Sequence, residues 1–151
     1  MTLKGKLKSK IGSSSIYDPE TEMNIELPGG LKVFNRRNAT WIGGTDDGEV
    51  MVHVERIQAE DDEVPTILAE GDLDIFLISE GQVEELNDTT KGIRVNGMYS
   101  KKPIKGYLSV VKVLGKVAYL VMTATKAIAG NIDLRLLSMD ITGRISQKMN
   151  K

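Results

Sequence analysis

Apolar and polar residues alternate with a period of two along much of this chain, the signature of half-buried strands, and glycine, proline and asparagine interrupt the alternation. Met23-Asn-Ile-Glu-Leu27 is one such strand, ended by Pro28-Gly29-Gly30. Leu31-Lys-Val-Phe34 is a short apolar segment, and Asn35-Arg-Arg-Asn38 reads as a turn. Ala39-Thr-Trp-Ile42 and Glu49 to Ile57 flank Gly43-Gly-Thr-Asp-Asp-Gly48, whose residues tolerate tight reversals, so the three segments predict a hairpin. In its second arm Val50, Val52 and Val54 share one face and should be core, while Met51, His53, Glu55 and Ile57 share the other. Further strands are expected over Gln82–Leu86, Gly92–Lys101, Ile104–Leu114 and Lys116–Lys126, with a tight turn at Leu114-Gly115-Lys116.

Two stretches have helical spacing instead. Ile67, Leu68, Leu73, Ile75, Phe76, Leu77 and Ile78 follow Val64-Pro65, with Pro65 suited to a first turn, Asp61 to Glu63 at the positive end of the macrodipole, and Gly81 as the stop. Leu134, Leu137 and Ile141 recur at i, i+3 and i+7, with Asn131 available as cap and Gly143 as stop. The predicted fold is α+β: an antiparallel β-sheet with one internal and one C-terminal helix packed on it. Residues 1–14 read as a basic tail, 15–143 as a single domain and 144–151 as a second basic tail.

Composition agrees with one folded domain. The chain has 151 residues, 40% hydrophobic and 27% charged, enough for one sizeable core. The absence of cysteine removes disulfides, thiolate nucleophiles and Cys-ligated zinc. A net charge of −1 conceals segregation: Lys4, Lys6, Lys8 and Lys10 precede the first acid, Arg144, Lys148 and Lys151 follow the last, and the middle, from Glu60-Asp-Asp-Glu63 to Asp88, is acidic. Such bipolar charge serves self-association as readily as an external partner. It disfavours nucleic acid, because the basic tail carries no aromatic residue for base stacking and the acidic middle repels phosphates. No apolar stretch of signal-peptide length follows the N-terminal lysines, which implies a cytoplasmic location unless a leader has been trimmed. The most apolar stretch, Tyr107 to Thr125, is broken by Lys112, Gly115 and Lys116 and predicts core strands, with no transmembrane segment.

Catalytic motifs are missing. His53 is the only histidine, no Gly-x-Ser-x-Gly elbow accompanies it, and a structural role on its strand face is expected. Asp46-Asp47-Gly48-Glu49 lacks the alternating ligands of a calcium loop and reads as a polar hairpin tip. Gly115-Lys116-Val117 fails as a phosphate loop at its third residue. No catalytic residue, metal ligand set or cofactor is therefore expected, and the chain reads as a binder, not an enzyme. Trp, Tyr and Met are enriched at interfaces, and Phe34, Trp41, Met51, Met98 and Tyr99 are the candidate partner-binding residues, expected to share one sheet face.

Tyr17-Asp18-Pro19, then Ile25-Glu-Leu27-Pro28, then Leu31 where an aromatic is usual, resemble the opening of the PsbP-like superfamily. The strand Val117-Ala-Tyr-Leu-Val-Met-Thr-Ala-Thr125 and the helix after it resemble its closing half. The superfamily includes photosystem accessory subunits, a Ran-release factor and bacterial secretion-effector chaperones, so the resemblance implies a helix-flanked antiparallel sheet and, in general, a non-catalytic binder. It transfers no functional residue. The expected function is an accessory, adaptor or chaperone-like protein that binds a protein partner through one sheet face. The alternative is a binder of a small ligand or lipid headgroup in an enclosed pocket, and less so a nucleic-acid-associated protein using the basic tail.

Overall fold

The computed structural model describes residues 13–65, 76–99, 101–126 and 133–149. Their elements are β1 (Ser15–Asp18), β2 (Met23–Glu26), β3 (Lys32–Arg37), β4 (Thr40–Gly44), β5 (Val50–Gln58), a 3₁₀ turn (Asp61–Glu63), β6 (Phe76–Asn87), β7 (Thr90–Tyr99), β8 (Lys102–Leu114), β9 (Val117–Lys126) and α1 (Leu134–Met149). Strands β3 to β9 form one seven-stranded sheet in the order β3-β4-β5-β9-β8-β7-β6, and β1-β2 is a separate hairpin. Every pairing is antiparallel. The sheet is thus two sequential meanders joined at a β5–β9 seam, where Val54 faces Val121 and His53 faces Met122.

Register decides which side chains meet. Val50, Val52 and Val54 are buried as the alternation predicts, on a first face with Trp41, Val111, Val113, Tyr119 and Val121. Ile16, Met23, Ile25 and Leu27 from the β1–β2 region and Ile141 and Ile145 from α1 complete this cluster. Arg36 stacks over the Trp41 ring at 5.1 Å from its centroid. The second face carries Ile93, Val95, Leu108, Val110, Leu120 and Met122, against which Ala59 and Val64 pack.

Several boundaries differ from the sequence reading. Asn35, Arg36 and Arg37 belong to β3, and the turn is confined to Asn38 and Ala39, with Asn38 at φ 55°. An edge strand accepts polar residues because one side needs no partner strand. Ser13 is not tail: its backbone exchanges two hydrogen bonds with Val33, at 2.7 and 3.0 Å. Phe76, Leu77 and Ile78, read as helix, open strand β6 opposite Met98, Gly97 and Asn96, and Gly81 (φ 78°) lies within that strand instead of closing a helix. Residues 66–75 of that expected helix lie outside the described residues, as do 1–12 of the N-terminal tail and the cap candidate Asn131.

Asp133 caps α1 instead, its Oδ1 accepting the Leu136 N–H at 3.1 Å. The helix also runs through Gly143 to Met149, so residues 144–149 extend the domain where a tail was expected. Burial of Ile145, one turn after Ile141, and the Arg144–Asp140 pair at 2.9 Å offset the helix-interior glycine. Gly143→Ala should therefore raise unfolding stability by about 0.5–1 kcal/mol, because alanine costs less backbone entropy in a helix and, outside the helix's own backbone, nothing stands within 4 Å of the added Cβ. Urea denaturation checks this, and an unchanged or lower midpoint would contradict it.

Candidate functional site

On the second face, the β3–β4–β5 flank leaves an apolar groove of about 380 Å³. A bulge between Val33 and Asn35 in β3 carries Phe34, which lines the groove. Ile42 lies directly opposite His53, and Gly44 opposite Met51, so β4 and β5 contribute adjoining residues, while Met122 of β9 reaches the groove from across the seam. Phe34 is 41% exposed and Ile42 44%, whereas His53 and Met122 are buried. Gly43 and Gly44 carry no side chains, so the backbone itself forms part of the lining. Lys32 and Asp46, 3.5 Å apart, add a surface ion pair within two residues of lining positions. His53 Nε2 lies 3.5 Å from Glu55 Oε1.

The residues expected to form one strip are separated. Phe34 and Met51 do share the groove. Trp41 stands opposite Val54, which places it on the first face, 3% exposed in the core. Met98 is 44% exposed but opposite Pro103, on the parity of Tyr107 and Val111, so it also belongs to the first face, across the sheet from the groove. Tyr99 ends β7; its side chain lies outside the described residues. The sequence reading missed Ile42 and Met122, although the parity that put Met51 beside His53 would have found Ile42 once the hairpin register was known.

Two polar constellations lie elsewhere. Asp18, fully buried, accepts from Arg56 Nη1 at 2.5 Å and the Glu20 N–H at 3.1 Å on one oxygen, and from the Tyr119 hydroxyl at 2.6 Å on the other. Thr21 Oγ1 lies 2.7 Å from the same hydroxyl. Burial opposes ionisation of Asp18, but the donors from Tyr119, Arg56 and Glu20 outweigh it and hold the carboxyl below its ordinary range. Burial, then the bond to Asp18, pushes the Tyr119 phenol up, and the bond to Asp18 raises Arg56. This clasp ties the β1–β2 hairpin to β5 and β9, which gives Asp18 of the Tyr17-Asp18-Pro19 segment a structural role.

The second constellation joins Tyr107, whose hydroxyl donates to Glu84 Oε1 at 3.1 Å, to Arg135, whose Nε donates to Glu84 Oε2 at 3.2 Å. Burial and the neighbouring Glu84 push the Tyr107 phenol up to about 12. Both phenols are thus held protonated at neutral pH, as structural donors. At the hairpin tip, Asp47 Oδ1 accepts from Thr45 Oγ1 at 2.6 Å and the Glu49 N–H at 3.0 Å, so this carboxylate is engaged by its own turn. Among the described residues no three His, Cys, Asp or Glu side chains converge as a metal site, and no helix is long and apolar enough to cross a membrane.

No protein-family model and no curated protein matches the chain. Solved structures do. A point mutant of Mog1 superimposes with a TM-score of 0.59 at 8% identity, covering 89% of this chain and 93% of that one. The Ran-binding protein Mog1p of Saccharomyces cerevisiae gives 0.57 at 8% identity, covering 89% and 92%. A protein of Bacteroides thetaiotaomicron gives 0.57 at 7% identity, covering 87% of this chain and 47% of that one. The chain therefore shares the fold of Mog1, in agreement with the PsbP-like resemblance at the level of architecture.

Proposed function

We propose that this chain is a non-catalytic accessory protein that binds a protein partner through the β3–β4–β5 flank of its second sheet face. The observation that carries this reading is the groove itself, where exposed Phe34 and Ile42 stand beside the adaptable Met51 around about 380 Å³ of apolar space. Large apolar side chains gathered on one surface are what the core of a protein interface requires, and methionine repacks around its ligand. The shared fold with a Ran-binding protein supports a protein partner in general terms. A second reading, a small apolar ligand, is favoured by the groove volume, which falls within the range of ligand pockets.

Ile42→Asp separates the groove from the rest of the surface, because the position is exposed and its loss leaves the core intact. A partner captured from the native host by the wild-type chain and then purified should bind Ile42→Asp more weakly by about 2 kcal/mol or more, roughly thirtyfold in Kd. Met98→Asp, exposed on the opposite face, should bind as wild type. Loss in both variants or in neither would remove the groove as the docking surface, and capture of a small molecule alone would favour the second reading.

A further inference from the structure

The groove also gathers two thioethers of the sheet beside its imidazole. His53 of β5 and Met122 of β9 are direct cross-strand partners, and Met51 lies two residues before His53 on the same face of β5. All three line the groove. Direct partners on one face have Cβ atoms about 5 Å apart, and residues two apart on a strand are separated by about 7 Å. Two thioethers, each on a side chain with three rotatable bonds, can therefore converge on the imidazole without backbone movement. Glu55 Oε1, 3.5 Å from His53 Nε2, sets one negative charge beside that point.

We infer that His53, Met51 and Met122 form a binding site for a soft monovalent cation, Cu(I), at the floor of the groove. Thioether sulfur selects Cu(I) over hard and borderline cations, and imidazole is a compatible third donor. Glu55 then balances the single positive charge, which a divalent ion would leave in excess in apolar surroundings. The site is independent of whether a protein docks on the groove, since it needs only residues of this chain. His53 thereby gains a role beyond the structural one its strand position suggested, without serving as a catalytic base.

The test uses the full chain under anaerobic conditions. Cu(I) is presented from a chromogenic chelator, and the chain is expected to withdraw one equivalent while leaving Zn(II) in its own indicator. Met51→Leu and Met122→Leu conserve volume, and each should weaken Cu(I) binding by at least the roughly tenfold that even an outer-shell contact commands. Ag(I), a redox-inert probe, should shift the methyl resonances of Met51 and Met122 and the imidazole of His53 among the chain's seven methionines and one histidine in the unmodified protein, which answers the question even if Met122→Leu fails to fold. No withdrawal of Cu(I), leucine variants that bind as wild type, or Ag(I) shifts confined to other methionines would each overturn the site.

Discussion

Asp18→Ala is expected to cost about 3–5 kcal/mol of unfolding free energy, read as a lower urea midpoint at neutral pH. The carboxylate is fully buried and receives hydrogen bonds from Tyr119, Arg56 and the Glu20 N–H, so its removal strands the Arg56 guanidinium and leaves the Tyr119 phenol with Thr21 as its remaining contact. Tyr119→Phe is a milder cut of the same clasp, because Arg56 and the Glu20 N–H still hold Oδ1 and only Oδ2 loses its donor; it should cost about 1–3 kcal/mol. The clasp also fixes a dependence on pH. Asp18 is held below its ordinary range in the folded protein, so the unfolded chain takes up the proton first as pH falls. Its contribution is complete above the unfolded value of about 3.9 and disappears as pH drops through the folded value. The stability gap between wild type and Asp18→Ala should accordingly narrow in acid, and a gap that persists unchanged below that range would show that the loss came from packing alone.

Gly43→Ala is the second large effect, expected at about 3 kcal/mol, the upper end for an inserted methyl, because the opposing atoms are backbone. A Cβ at this position would overlap the carbonyl of Lys32 and stand 2.8 Å from Val33 Cα. Neither can yield as a side chain would, so β3 must move away from β4. That movement carries Phe34 out of the groove and Arg36 off the Trp41 ring. Tryptophan fluorescence reports the second event directly, since Trp41 is the only tryptophan. An unaltered emission spectrum together with an unaltered urea midpoint would refute the close approach.

Strand parity was readable wherever the alternation was long. The three valines of β5 announce their buried face, because period-two burial leaves the same trace in sequence and structure, whereas β8 and β9 are buried on both faces and show in sequence as near-continuous apolar runs. Parity could not be carried across turns. Gly43 and Gly44 read as loop but belong to β4, so the face of Trp41 was indeterminate until its pairing with Val54 fixed it. Phe76, Leu77 and Ile78 form a continuous apolar run that fits a helix as well as a strand, and pairing with β7 decides between them. Gly143 misled for a different reason: propensity is a local preference, and Ile145 packed in the core overrides it. The groove was half visible, since Phe34 and Met51 were candidates by residue type, but Ile42 joins them only through register. The clasp was hidden altogether, because nothing in an isolated Asp18 says that Arg56 and Tyr119 converge on it.

The β5–β9 seam sets how the chain tolerates change. Glu49 and Thr125, which meet there through the Thr125 hydroxyl, are 76 residues apart, whereas the neighbouring strands within each meander follow one another directly. Closing so long a loop carries an entropic cost that grows only logarithmically, so doubling the intervening sequence would add about 0.6 kcal/mol. Past Val64 the chain between the two meanders can thus lengthen at little closure cost, while a single residue gained inside β5 or β9 would turn one buried face into the other.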